Sequence, residues 1–140
     1  MEDPFQIRVR VRGYEVDTQG HMNQAVYLQY AEHARWECLL AAGITQAGLI
    51  ANGVGPVALD VAIKFRRELR TGDEVDISCE FWWGEGKIFH IQQEFRRADS
   101  THVASLTGTA GLLDLQERRL IADPHARFLE LAQLADPMSL

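Results

Sequence analysis

The sequence predicts an α+β domain in which a long central helix is wrapped by a curved antiparallel β-sheet. Two observations carry this reading. Residues 23–42 form a helical pattern that is apolar over most of its girth, so that helix must be covered on most sides. Beyond residue 56 the chain alternates with a period of two and breaks into four long segments at turn-type residues. A sheet curled around the helix is the simplest way to cover it. At 140 residues the chain is read as one domain spanning 1–140, large enough to fold without disulfide or metal staples.

The elements follow in order. Phe5 to Glu15 starts as a strand, with Phe5, Ile7, Val9 and Val11 alternating with Gln6, Arg8, Arg10 and Arg12. Asp17-Thr18-Gln19-Gly20 breaks it in turn-forming residues. Asn23 can cap the helix, and Gly43 stands where a glycine beyond the C-terminus belongs. Gln29, Glu32, His33 and Glu37 make one narrow polar stripe on it. Arg35 lies off that stripe, on an apolar side, and needs a counter-charge if buried. Glu32 and Asp17 are equally good candidates for that partner.

Residues 38–59 carry no charge, but their glycines and Pro56 exclude a membrane-spanning helix. That stretch reads as a helix end, a loop and a strand start. Strands are expected over 57–66, 75–83, 89–97 and 103–115, with turns at Leu69–Asp73, Gly84–Lys87 and Ala98–Thr101. Trp82 and Trp83 fall on opposite faces of their strand. The last strand, with Gly108, Gly111 and few charges, has no clear solvent face and is expected to pair with or pack on a second subunit. A helical tail is expected over 127–134, after Pro124.

Fourteen Lys and Arg against twenty Asp and Glu give a net charge of −6. That speaks against nucleic-acid binding, which needs a basic face, but leaves room for a local patch that meets one phosphorylated molecule. Cys38 and Cys79 are spaced for neither a redox pair nor a zinc site and read as small buried apolar groups. Met1-Glu2-Asp3-Pro4 has neither the basic nor the apolar region of a secretion signal, so a cytoplasmic location without membrane insertion is expected.

The informative stretch runs from Tyr14 to Tyr27 and places Asp17 six residues ahead of the helix cap. Free N–H groups at a helix start carry partial positive charge and polarise a carbonyl set against them. A carboxylate beside them can attack that carbonyl or deprotonate a water. Together they suffice to hydrolyse an activated acyl group, and a thioester suits them because its sulfur leaves without strong acid assistance.

The run Asp17-Thr18-x-Gly20-His21-x-Asn23-x-x-x-Tyr27, followed by Glu32 and Arg35, resembles the 4-hydroxybenzoyl-CoA thioesterase branch of the hotdog fold. Phe65-Arg66-Arg67-Glu68-Leu69-Arg70-Thr71-Gly72-Asp73 resembles that family's strand exit, with Leu69 where the family often has proline. The resemblance implies a hotdog domain that works as a homodimer or homotetramer with its site at the subunit interface, and needs no metal or other cofactor. It implies that Asp17 is the catalytic carboxylate and that backbone near Gly20 and Gln24 polarises the carbonyl. His21, Asn23, Tyr27 and Arg35 take supporting places. Val57 and Leu59 are candidates for the acyl pocket; Arg66, Arg67 and Arg70 are candidates for CoA phosphates. The expected substrate is an acyl-CoA or acyl-carrier-protein thioester. A hotdog acyl-thioester hydratase or dehydratase, or a non-catalytic acyl-CoA binding module, are the alternatives.

Overall fold

The computed structural model describes residues 4–132. The chain runs β1 (Phe5–Arg10), a single 3-10 turn (Gly13–Glu15), α1 (Gln24–Ala41), α2 (Gln46–Ala51), β2 (Val54–Phe65), β3 (Glu74–Trp83), β4 (Ile88–Arg97), β5 (His102–Asp114), β6 (Arg119–Leu120) and α3 (Pro124–Leu131). The strands form one antiparallel sheet in the order β1-β3-β4-β5-β2, with β6 added to β5. The expected helix within a curved sheet is present. No helix among the described residues is long and apolar enough to cross a membrane.

Local chemistry sets the ends of α1. The Asn23 side chain accepts from Ala25 N at 2.9 Å and caps the start. At the far end Ile44 N donates to Leu39 O and Gly43 N to Leu40 O, both at 2.9 Å, a Schellman closure with Gly43 at φ 85°. Val26, Tyr27, Tyr30, Ala31, Ala34, Cys38 and Leu39 are buried against the concave side of the sheet. The N-terminal half of α1 packs with Val75, Ile77, Phe95 and Leu106. The C-terminal half packs with Phe81, Phe89, Leu112 and Phe128. Each such side chain stabilises the fold by roughly 1.5–3 kcal/mol through loss of water contact.

Four expectations change. The first strand stops at Arg10, and Glu15 is a buried turn residue rather than a strand end. The stretch read as a loop contains α2, capped by Thr45, whose hydroxyl accepts from Gly48 N at 2.9 Å. The tail helix spans Pro124–Leu131 and ends in Ala132, which is extended; residues 133–134 of its expected range lie outside the described residues. Finally, β5 cannot pair with a second subunit, because β4 and β2 occupy its two sides. Gly111 serves packing within the chain: a Cβ there would lie 2.7 Å from Leu120 Cδ2.

The open edges are β1 and β2. Arg8 and Arg10 guard β1 through ion pairs with Asp76 and Glu74 at 2.8 and 2.9 Å. On β2 a bulge at Leu59 interrupts the register with β5, and apolar side chains stay in water. Leu59 is 51%, Val61 41% and Phe65 49% exposed, and Leu28 on α1 is 45% exposed.

Candidate active site

Residues 16–22 form a closed loop at the head of α1. Val16 and Met22 pair as an antiparallel bridge, and Asp17 N donates to His21 O at 3.0 Å. Inside the loop Gly20 N donates to Asp17 O at 3.0 Å, and Asp17 Oδ1 accepts from Gln19 N at 2.9 Å. Gly20 adopts φ 86°, which the turn requires and a side chain would resist.

Two neighbours hold this loop. Met22 N donates to Leu69 O at 2.6 Å, and Asn23 N donates to Glu15 O at 2.9 Å. Glu15 is itself anchored, since its buried carboxylate accepts from Arg12 N at 2.8 Å and from the Tyr30 hydroxyl at 2.5 Å. Burial and then the Glu15 hydrogen bond push the Tyr30 hydroxyl well above the ordinary tyrosine range.

This bonding has a consequence for the helix start. The amides of Met22, Asn23, Ala25 and Val26 are all satisfied. The Gln24 N–H has no partner among the described residues. It is the first amide of α1, where the helix's partial positive charge is concentrated.

A pocket of about 540 Å³ opens here. Asp17, His21, Asn23, Gln24, Tyr27, Arg66 and Arg67 line it together, as do Met22, Phe65 and Glu68. Tyr27 is buried, with its ring edge-on to Phe65 at 5.0 Å, and burial raises its hydroxyl above the usual range. His21 Nε2 lies 3.0 Å from Gln19 Oε1 and 4.0 Å from Glu68 Oε2. Arg66 and Arg67 form no ion pair among the described residues, which leaves two cations at the pocket for an anionic ligand.

Other candidate residues lie elsewhere. Arg70 does not line the pocket and is bonded to Glu68, whose carboxyl it holds below the usual range. Arg35 pairs with neither Asp17 nor Glu32: its Nη1 donates to Gln93 Oε1 at 3.1 Å. Gln93 is fully buried and fixed by bonds from its amide nitrogen to Ala31 O and Ser78 O at 3.0 and 3.2 Å. Arg35 and Val57 line a separate cavity beneath the second half of α1, of about 210 Å³. Leu59 lines neither and stands exposed on the β2 edge. Cys38 and Cys79 are both buried within one core cluster, away from the Asp17 pocket.

The sequence assigns no site role to Glu15, Phe65, Glu68 or Gln93, although the first three stand within or beside the motifs quoted above. Glu68 adjoins two named arginines, so that local signal was available. Gln93 reaches Arg35 across 58 positions of sequence, with no local signal.

A sequence profile described as the thioesterase-like superfamily matches residues 11–136. The chloroplastic acyl-acyl carrier protein thioesterase ATL3 of Arabidopsis thaliana is 34% identical over 97% of this chain and 73% of its own length. The long-chain acyl-CoA thioesterase FadM of Escherichia coli is 28% identical over 84% of this chain and 89% of its own. Among solved structures, YbaW of Escherichia coli superposes with a TM-score of 0.79 at 26% identity, over 91% of this chain and 97% of its own. A 1,4-dihydroxy-2-naphthoyl-CoA thioesterase from Synechocystis gives a TM-score of 0.81 at 17% identity, over 91% and 93% of the two chains. The fold is the hotdog thioesterase fold expected from the Asp17–Tyr27 motif.

Proposed function

The chain belongs to the thioesterase-like superfamily, and from that membership and the pocket at the head of α1 we propose that it hydrolyses an acyl-CoA or acyl-carrier-protein thioester with Asp17 as its catalytic carboxylate. The observation that carries this reading is that Asp17 and the residue with the unbonded amide, Gln24, line one pocket. The thioester carbonyl lies against the Gln24 N–H, which stabilises the developing oxyanion. Asp17 attacks the carbonyl carbon, or takes a proton from the water that does. Collapse of the tetrahedral species expels the thiolate. In the first route water then cleaves the acyl-aspartyl anhydride; in the second the acid forms directly. Arg66 and Arg67 meet the phosphates of the carrier.

The working unit is a homodimer built on β2. Its open edge carries Leu59, Val61 and Phe65 in water, and Leu28 of the helix is exposed as well. Phe65, at the Asp17 pocket, and Val57, at the second cavity, lie roughly 26 Å apart along one strand. A two-fold antiparallel pairing sets the Phe65 end of one β2 beside the Val54 end of the other, at a strand spacing of about 4.8 Å. The second cavity of one subunit thereby adjoins the Asp17 pocket of its partner and receives the acyl chain.

The test is a panel of acyl-CoA and acyl-carrier-protein thioesters offered to wild type and Asp17→Asn. Asparagine keeps the Oδ1 that accepts from Gln19 N, so the loop stays closed while the nucleophile or base is lost. Hydrolysis by wild type and loss of at least about a hundredfold in the variant support the assignment. No hydrolysis by wild type overturns the reading, and full activity in the variant overturns the role of Asp17. A single turnover in oxygen-labelled water separates the routes, because only the anhydride route places label first in Asp17.

A further inference from the structure

We propose that the cavity beneath the second half of α1 binds an apolar chain ending in a carboxylate, with the Arg35 guanidinium as the anion's partner. The walls are Trp36, Leu39, Phe81, Phe89, Ile91 and Phe128, a lining that takes hydrocarbon. Arg35 and Glu32 are the two charged groups at this cavity.

Arg35 is held for such a contact. Its Nη1 donates to Gln93 Oε1, and both hydrogens of the Gln93 amide are directed to backbone carbonyls, so Gln93 is a neutral, fixed acceptor. No carboxylate lies within 4.0 Å of the Arg35 nitrogens among the described residues; Glu32 is exposed and forms no ion pair. Burial lowers the Arg35 pKa, with Glu32 opposing in part. A guanidinium in apolar surroundings with a dipole but no counter-charge gains most from a carboxylate, whose two oxygens match its paired N–H groups.

Two sources share this chemistry, and both rest on the thioesterase reading. One is the free acid that hydrolysis releases, bound again with its carboxylate at Arg35 in place of the Asp17 pocket. The other is the far end of an ω-carboxyacyl thioester, read before hydrolysis.

The test needs no thioester at first. Decanoate and 1-decanol are titrated calorimetrically into the full-length wild-type chain at neutral pH. The acid is expected to bind at least about tenfold more tightly. Arg35→Met removes that difference and Arg35→Lys keeps part of it. Should Arg35→Met fail to fold, Ala58→Trp, a change at an exposed lining position, occludes the cavity and abolishes decanoate binding. Equal binding of acid and alcohol, or decanoate binding untouched by every variant, overturns the proposal.

A second arm assigns the source. An Arg35-dependent preference for ω-carboxyacyl-CoA over the plain acyl-CoA of equal length identifies the tail-reading site. Inhibition by decanoate without that preference identifies the product site. Arg35-dependent decanoate binding in a chain that hydrolyses no thioester would retain the site and reject the thioesterase reading.

Discussion

The Tyr30 hydroxyl donates a 2.5 Å hydrogen bond to the buried carboxylate of Glu15, linking the middle of α1 to the segment that supports the Asp17 loop. Glu15 also accepts from Asn23 N through its backbone, so one residue ties the turn, the helix cap and the helix body together. Tyr30→Phe leaves that carboxylate short of a donor and is expected to cost about 1–3 kcal/mol of stability, measured by urea denaturation. The pH dependence has a definite sign. The folded state raises the Tyr30 pKa above its ordinary 10.0, so this contribution is complete below that value and is lost as pH rises through the folded-state pKa. Tyr30→Phe should therefore flatten the alkaline limb of the stability profile; an unchanged limb would show that the pair is not coupled to folding.

Gln24→Pro removes the unbonded amide while respecting the backbone. Position 24 is the first of α1, where proline fits, and Asn23 at φ −62° and ψ 139° already has the extended geometry that a following proline requires. Melting temperature should stay close to wild type while kcat falls about 10²–10³-fold, the usual loss for one oxyanion donor. A fully active proline variant would exclude this amide from catalysis.

Gly20→Ala isolates the cost of the left-handed turn. No atom lies within 4 Å of a Cβ built there, so crowding contributes nothing and only the backbone conformation resists. A loss of about 1–2 kcal/mol is expected, with a smaller one for Gly20→Asn. Denaturation midpoints of the two variants provide the comparison.

Val61→Lys places a charge on the open apolar edge of β2. Sedimentation should report a folded single chain in place of a dimer. Hydrolysis of long acyl thioesters should fall further than that of acetyl-CoA, because in the proposed dimer the acyl cavity comes from the partner. A wild-type protein that sediments as a monomer would refute the shared site.

The architecture was legible because two periodicities are strong: two residues along each strand, and a helix too apolar to stand in water. Asn23 and Gly43 marked the helix ends through local capping chemistry. The errors came from features decided elsewhere in the chain. The glycines and sparse charges of β5 suggested that it pairs with or packs on a second subunit, yet β4 and β2 take both of its pairing sides, and Gly111 makes room for Leu120. Arg35 announced a need for a partner but not which one, because Gln93 arrives from β4 and carries no charge. α2 was within reach, since Thr45 stands three residues before the Gly48 amide that it caps. The Asp17 loop was legible as turn chemistry, whereas its support by Glu15 required seeing a carboxylate buried.

The lone amide of Gln24 also bears on how this protein varies. A backbone N–H belongs to no particular side chain, and nineteen of the twenty residue types supply one. Replacing Gln24 by alanine or leucine would leave that donor in place, so an alanine scan would pass over it in silence. On the proposed mechanism the constraint acts on peptide geometry: substitutions elsewhere, at Glu15, Gly20 or Asn23, would alter the donor by turning it, and position 24 itself would be free to drift.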